Sequence, residues 1–371
     1  MKVKKMSNFK ESKRKIFMLS KQREGEELNA DALKKYLFQQ KLISSENLNI
    51  EISQFSNGFS NLTYLLEIDN KSMVLRRPPK GAIKRGHDMG REFKVLSQLN
   101  QHFDKAPQAF CFEKSGTVLD APFYIMEKIE GVIVNYKIAK EREITSHEFK
   151  QISDSWLDAF VEFHQLDFNE VGLSDLGKPE GYVERQVANW SRQYLRAATQ
   201  EIPEAHFVMQ WMHKNQPKEY NHSLIHNDFK YDNIVLNEND WSQVNAILDW
   251  EMCTLGDPLM DLGTSIAYWT MDSDGPAKSM GIPSPTILPG NPGRTELVNA
   301  YAVKSGRAIN NLVFYYVYGL FKIAVIVQQI FYRYNKGLTQ DKKFAKLNEV
   351  CAFLCMMATQ AIDKKRIDGL F

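Results

Sequence analysis

The first clear pattern of apolar and polar positions along the chain is helical. Asn29 or Asp31 stands where a cap belongs, and Leu33, Leu37 and Phe38 follow at helical spacing before Ser44-Ser45. The period then drops to two. Ile50 and Ile52, the turn Ser56-Asn57-Gly58, then Leu62, Tyr64, Leu66 and Ile68, the turn Asp69-Asn70, and Met73 to Arg76 predict three antiparallel strands. A helix over 91–99 sets Phe93, Leu96 and Leu99 on one side, and further strands are expected around 110–112 and 123–126. Residues 148–164, 181–198, 203–214, 295–305, 311–334 and 341–364 all carry apolar positions at the helical period. Between these helices Leu224-Ile225, Ile234-Val235-Leu236 and Ala246-Ile247-Leu248 are apolar runs of strand length. The pattern therefore predicts an α+β chain, with a small sheet-rich N-terminal unit followed by a larger helical one. No repeat is visible. Residues 271–293 hold five prolines, and a structureless segment of that length is a candidate lid.

Composition agrees with a folded chain of two units: 371 residues, 43% hydrophobic and 25% charged. The net charge of +2 hides an asymmetry, because residues 1–23 hold nine Lys or Arg against one acid. The remaining chain has 38 basic and 44 acidic residues and lacks the positive excess that duplex binding uses, so no nucleic-acid partner is expected. Residues 1–24 read as a basic, flexible tail without the apolar core of a signal peptide. The expected division is this tail, an N-lobe over 25–127 and a C-lobe over 128–371. Four scattered cysteines make no disulfide framework or zinc set and read as buried thiols of a cytoplasmic protein. The apolar run 312–332 has Lys322 at its middle, where a charge costs about 2.5–3.5 kcal/mol on membrane insertion. It is expected as a buried helix of the helical lobe, with no membrane partner. The sequence assigns no oligomeric state.

The chemistry concentrates in His226-Asn227-Asp228-Phe229-Lys230-Tyr231-Asp232-Asn233, followed by Ile247-Leu248-Asp249-Trp250-Glu251. Asp228 and Asn233 stand in the D-x4-N relation of a kinase catalytic loop, and Asp249 ends an apolar strand as a metal-binding aspartate does. Phosphoryl transfer needs such a set, because catalysis there is positioning plus electrostatic stabilisation. Asp228 is expected to orient an acceptor hydroxyl and take its proton, and Lys230 to meet the transferring phosphoryl group. Asn233 and Asp249 are expected to hold magnesium, and His226 to fix the loop backbone. A chance H-x-D-x4-N match is expected only about 0.03 times in a chain of this composition. A polar turn between two strands is the plain alternative.

The N-terminal unit supplies the expected nucleotide partners. Ser56, Asn57, Gly58, Ser60 and Asn61 lie between two strands, where small side chains and backbone N–H groups can cover phosphates. Arg76 ends a strand in the place of the nucleotide-binding lysine of kinases, and Glu92 in the place of its ion-pair partner. Arg77 next door keeps that assignment open by one residue. Alternation puts Val74 on the face of Arg76, suited to an adenine. Backbone contacts around Met126, Glu127 and Ile129 would set the choice between ATP and GTP.

On these motifs the sequence resembles the aminoglycoside phosphotransferase and choline kinase-like superfamily. The resemblance runs over 55–337 and includes Phe59-Ser60-Asn61-Leu62-Thr63-Tyr64, Val74-Leu75-Arg76-Arg77-Pro78-Pro79, residues 182–190, the 226–233 loop, and Leu248-Asp249-Trp250-Glu251 with Gly256-Asp257-Pro258. It looks nearest to the branch also found fused to acyl-CoA dehydrogenases, in which arginine commonly replaces the lysine. The resemblance implies a bilobal protein-kinase-like fold, with an antiparallel-sheet N-lobe and a mainly helical C-lobe. It also implies ATP or another nucleoside triphosphate as donor, Mg2+, and a small-molecule hydroxyl acceptor, with a hint of a hydroxyacyl compound. Residues 181–190 become a candidate acceptor wall or a packed amphipathic helix. Asn227 stands where many relatives have glycine. Two other functions compete with this expectation. A protein kinase would need an activation segment, yet Asp257 comes only eight positions after Asp249 and no A-P-E follows. A non-catalytic nucleotide-binding scaffold has Arg76 alone in its favour.

Overall fold

The computed structural model describes residues 19–55, 61–79, 88–275, 284–339 and 341–371. The chain forms two compact units. The first runs to Val132 and also takes Asn245–Glu251, and the second holds Ile133–Val244 and Met252–Phe371.

Among the described residues, the first unit is built on an antiparallel sheet of six strands in the order β1-β2-β3-β4-β6-β5. These are β1 (Leu19–Ser20), β2 (Ile50–Phe55), β3 (Leu62–Ile68), β4 (Lys71–Arg77), β5 (Ala109–Glu113) and β6 (Phe123–Glu127). The β3–β4 connection is a two-residue turn at Asp69 and Asn70, whose φ values of 47° and 61° are those of the turn that matches strand twist. It pairs Ile68 with Lys71 and so fixes the register up to Leu62 opposite Arg77. Tyr64, Leu66, Ile68, Met73 and Leu75 then share one face and bury against Leu33 and Leu37. Those two leucines lie on α1 (Ala30–Gln39), which Asn29 caps by accepting from the Ala32 N–H at 3.1 Å. Helix α2 (Met89–Leu99) begins after the cap Asp88, its first residue two positions before the expected start. Its buried side is Glu92, Val95, Leu96 and Leu99, whereas Phe93 is half-buried and stacks on Phe112.

The second unit is helical around two small strand pairs. Its helices are α3 (Tyr136–Glu141), α4 (Ser146–Gln165), α5 (Tyr182–Ala197), α6 (Pro203–Lys214), α7 (Pro258–Tyr268), α8 (Arg294–Ser305), α9 (Leu312–Asn335) and α10 (Leu347–Lys364). Thr145 and Glu148 form a reciprocal cap at the start of α4. Strand β7 (Ser223–Ile225) pairs antiparallel with β10 (Thr254–Gly256), and β8 (Ile234–Asn237) pairs with β9 (Asp240–Ile247), which leads the chain back into the first unit. The run 312–332 falls within α9, packed within this unit. Helices α7 and α9 touch at two glycines: a Cβ on Gly263 would lie 2.2 Å from the Tyr315 carbonyl oxygen, and one on Gly319 2.2 Å from that of Gly263. Only glycine lets these backbones meet. The expected helix over 341–364 divides into a short 3-10 turn, Lys342–Phe344, and α10. The basic tail lies mostly outside the described residues, as do Ser56, Asn57, Gly58 and Ser60 and the middle of 271–293. The described ends of that last segment are pinned: Thr286 donates to the Thr270 carbonyl at 2.9 Å and Trp269 to that of Pro292 at 2.9 Å.

Candidate functional site

In the second unit the 226–233 loop connects β7 to β8. Phe229 is fully buried and stacks on Phe160 at 4.2 Å, which turns its neighbours Asp228 and Lys230 outward. The Lys230 ammonium donates to both carboxylate oxygens of Asp228, at 2.9 and 2.7 Å, and sits 4.7 Å over the Tyr268 ring. The Asn233 Nδ2 donates to the backbone carbonyl of Asp228 at 2.8 Å and to its Oδ2 at 2.9 Å. Asp228, Lys230 and Asn233 are therefore gathered as one cluster. His226 is buried behind them, and its Nδ1 accepts from the Asp228 N–H at 3.3 Å.

Behind the loop stands a residue that sequence reasoning passed over. Asp261, fully buried on α7, accepts the His226 and Asn227 backbone N–H groups at 2.6 and 2.7 Å. Its Oδ2 also meets His164 Nε2 at 3.2 Å, and His164 Nδ1 meets the Tyr301 hydroxyl at 2.8 Å. Burial alone would raise the Asp261 carboxyl, but the His164 hydrogen bond and nearby positive charge, Lys322 included, hold it below the usual carboxylate range. Burial pulls the His164 imidazole below its usual range against the pull of Asp261. The signal was present, because an aspartate inside the apolar run 258–268 requires a buried partner. Asp257 caps the same helix, accepting from Leu259 N–H at 2.9 Å, and burial raises its carboxyl to about 6.

A second cluster gathers within the first unit. Arg76 Nη1 donates to Glu92 Oε1 at 2.5 Å, and its Nη2 donates to Asp249 Oδ1 at 3.1 Å and lies 3.6 Å from Glu251 Oε2. Asn61 is buried and donates to the same Glu251 oxygen at 2.8 Å. Burial would lower the Arg76 pKa, but Glu92 first, then Tyr124, Asp249 and Glu251, outweigh it and raise it well above the ordinary value. One fork spans carboxylates that an ammonium, as a point charge, would not bridge in the same way. Register explains why Arg76, not Arg77, joins this cluster: Arg76 lies opposite Tyr124 on β6, while Arg77 pairs across to Leu62 at the strand's end. Val74, opposite Met126, shares the face of Arg76. The Glu127 N–H is bonded to the Gln108 carbonyl at 2.8 Å, and Ile129 is half-buried two residues on.

Asp249 is held on a strained backbone with φ 67°. The Ile247 N–H donates to the Lys105 carbonyl at 2.8 Å, and the buried Trp250 indole donates back to Ile247 at 2.8 Å and lies edge-on to Phe103. Two sides of the turn are thus fixed, and Asp249 projects between them beside Arg76. Glu251, quoted in the motif without a role, proves to be part of this cluster. Residues 182–190 resolve as a packed face: Tyr182, Val183, Val187 and Trp190 are buried, and the Tyr182 hydroxyl donates to Asn227 Oδ1 at 3.2 Å.

The model of the phosphotransferase enzyme family matches residues 51–281. The chain belongs to that family. It is 29% identical to acyl-CoA dehydrogenase family member 10 of Mus musculus over 343 residues, which are 91% of this chain and 31% of that protein. It thus spans about a third of that relative's length. A crystal structure of a Ralstonia eutropha JMP134 protein, provisionally named an aminoglycoside phosphotransferase, superposes with a TM-score of 0.77 at 26% identity, covering 91% of this chain and 99% of that one. The GDP complex of wild-type aminoglycoside 2'-phosphotransferase-IIIa gives a TM-score of 0.57 at 13% identity over 86% of this chain and 98% of that one, a likeness of fold. The α+β, protein-kinase-like fold expected from the sequence, with an antiparallel-sheet N-lobe and a mainly helical C-lobe, is the fold found.

Proposed function

We propose that this phosphotransferase is a small-molecule kinase that moves the γ-phosphoryl group of ATP, with Mg2+, to a hydroxyl of a small metabolite. The observation that carries this reading is the clamp on Asp228, whose carboxylate is oriented by Lys230 on both oxygens and by Asn233 on one. Asp228 accepts the proton of the acceptor hydroxyl as the new oxygen–phosphorus bond forms and the bond to the β-phosphate oxygen breaks, releasing ADP. Lys230 offsets charge on the transferring group. Arg76, with Glu92, orders the phosphate side of the nucleotide, and the base lies against Val74 and Met126, with Glu127 and Ile129 at the hinge. Ser56, Asn57, Gly58, Ser60 and Asn61 form the phosphate cover on this reading.

The donor set suits magnesium. Asn233 spends its amide nitrogen on Asp228, so its oxygen is the atom presented to a cation, and the Asp249 side chain keeps 36% of its surface exposed. Both are hard oxygen ligands of the kind that would suit magnesium, which otherwise takes water and phosphate. When bound, Mg2+ neutralises phosphate charge. GTP is the second donor to test, since a relative of the same fold binds GDP. The name of the mouse relative supports a hydroxyacyl compound as the acceptor class to try first. Four buried cysteines, none in a disulfide, fit a cytoplasmic setting.

The test is an ATP- and GTP-consumption screen of the purified chain against a metabolite library that includes hydroxyacyl coenzyme A thioesters. Phosphorylation of one small hydroxyl compound is expected. Tight Mg-ATP binding with no product from any acceptor would assign the scaffold role instead, and efficient labelling of generic proteins would assign protein kinase activity.

A further inference from the structure

Lys322 is a charge at the centre of an apolar helix, and it is buried, with 1% of its surface exposed. Tyr318, Leu320, Phe321, Ala324 and Val325 around it on α9 are all buried, so packing alone would be served by a methionine or leucine. Desolvating an ammonium is costly unless its surroundings answer the charge. The answer comes from the negative charge of Asp261 nearby and, by direct contact, from one residue of the loop. Lys322 Nζ donates to the Asn227 backbone carbonyl at 2.7 Å and lies 3.3 Å from Asn227 Oδ1, with the Trp190 ring 5.9 Å away.

That carbonyl belongs to the peptide whose N–H is the amide of Asp228, and this N–H is bonded to His226 Nδ1. The preceding two N–H groups go to Asp261. Opposite charges from α7 and α9, the helices that meet at Gly263 and Gly319, therefore grip consecutive peptides. Between them Asn227 holds a left-handed φ of 68°, with its amide nitrogen on the Met252 carbonyl at 3.2 Å. Lys230 and Asn233 fix the carboxylate of Asp228, and this second set fixes the backbone from which the carboxylate springs.

We propose that Lys322 is a positioning residue, holding the Asn227–Asp228 peptide so that Asp228 meets the acceptor hydroxyl in a reactive orientation. This rests on the reading of Asp228 as the acceptor's base. The variant Lys322→Met keeps the shape of the side chain and removes the ammonium. Hydrogen exchange measured by mass spectrometry is expected to rise about tenfold or more in peptides covering residues 224–230 and to stay within about twofold elsewhere. With Mg-ATP and the acceptor recovered from the screen, or water, kcat is expected to fall about 10–100-fold while the Kd for Mg-ATP changes by less than about threefold. Unchanged exchange in the loop overturns the proposal, as does a loss spread over the whole chain or shared equally by nucleotide affinity. Should Lys322→Met not fold, Lys322→Gln keeps a polar head one bond shorter, and the same outcomes decide. If the wild-type chain phosphorylates nothing, the proposed function falls, and the exchange measurement still settles whether Lys322 holds the loop.

Discussion

Asn227 and Asp249 each carry a left-handed backbone, with φ 68° and 67°. Such a conformation costs a residue with a side chain about 1–2 kcal/mol, so each must be held by its surroundings. Each flanks chemistry. On the proposed reading, Asp228→Ala lowers turnover by about 10²–10⁴ while Mg-ATP binding stays nearly intact, as calorimetry and initial rates will measure. Asp249→Ala instead removes the magnesium dependence of nucleotide binding, and an unchanged dependence would reassign that carboxylate. Asp257 gives a stability prediction. Burial raises its carboxyl from 3.8 to about 6, so the folded state retains a proton that the unfolded chain has released. Its contribution is full below the unfolded value and disappears as pH climbs through about 6, a loss of about 3 kcal/mol. Asp257→Asn retains the capping oxygen and removes this dependence, so urea titrations at about pH 4 and pH 7 are expected to differ less in the variant. Parallel changes in both proteins would place the proton elsewhere. At this scale the clustering of Asp228, Lys230 and Asn233 was legible in the sequence because their spacing is local. The partners of Asp261, Lys322 and Glu251 stayed hidden because they lie up to 190 residues away in the chain.

At the scale of elements, legibility followed periodicity. Strands β2 to β4 were readable from alternation and from the Asp69-Asn70 turn, and α5, α6 and α9 from their apolar faces. The three-residue β10 was not, since Thr254–Gly256 is too short to show a period and depends on β7 for its existence. Nor was the break before α10: Lys346 has φ −111°, outside helical values, and ends the 3-10 turn region that precedes it. The α7–α9 crossing is equally silent in sequence, because a glycine in a helix reads as a weakness until its neighbour is known. Gly319→Ala would force a methyl group against a backbone carbonyl and is expected to destabilise the chain by about 1–3 kcal/mol, read from denaturant midpoints. A variant as stable as the parent would mean that the helices part without penalty.

For the whole molecule, the lobes were anticipated as consecutive stretches, 25–127 and 128–371. In the structure residues 245–251 join the first unit. No local pattern reports this, because Ala246-Ile247 reads as a strand whichever unit claims it. The returning segment supplies Asp249 and Glu251 to Arg76, Trp250 to Phe103 and an N–H to Lys105. Residues 1–132 expressed alone are therefore expected to melt broadly and at lower temperature than the intact chain, by near-ultraviolet circular dichroism. A sharp transition at the parental temperature would show that the returning segment is dispensable.

This return also sets an order on biosynthesis. A ribosome presents the N-terminal sheet long before it presents Trp250, so the guanidinium at position 76 emerges with one acidic neighbour, Glu92, and waits for the rest. The first unit can be finished only after more than 100 residues of the second have been translated, and maturation of the two is consequently a single linked event.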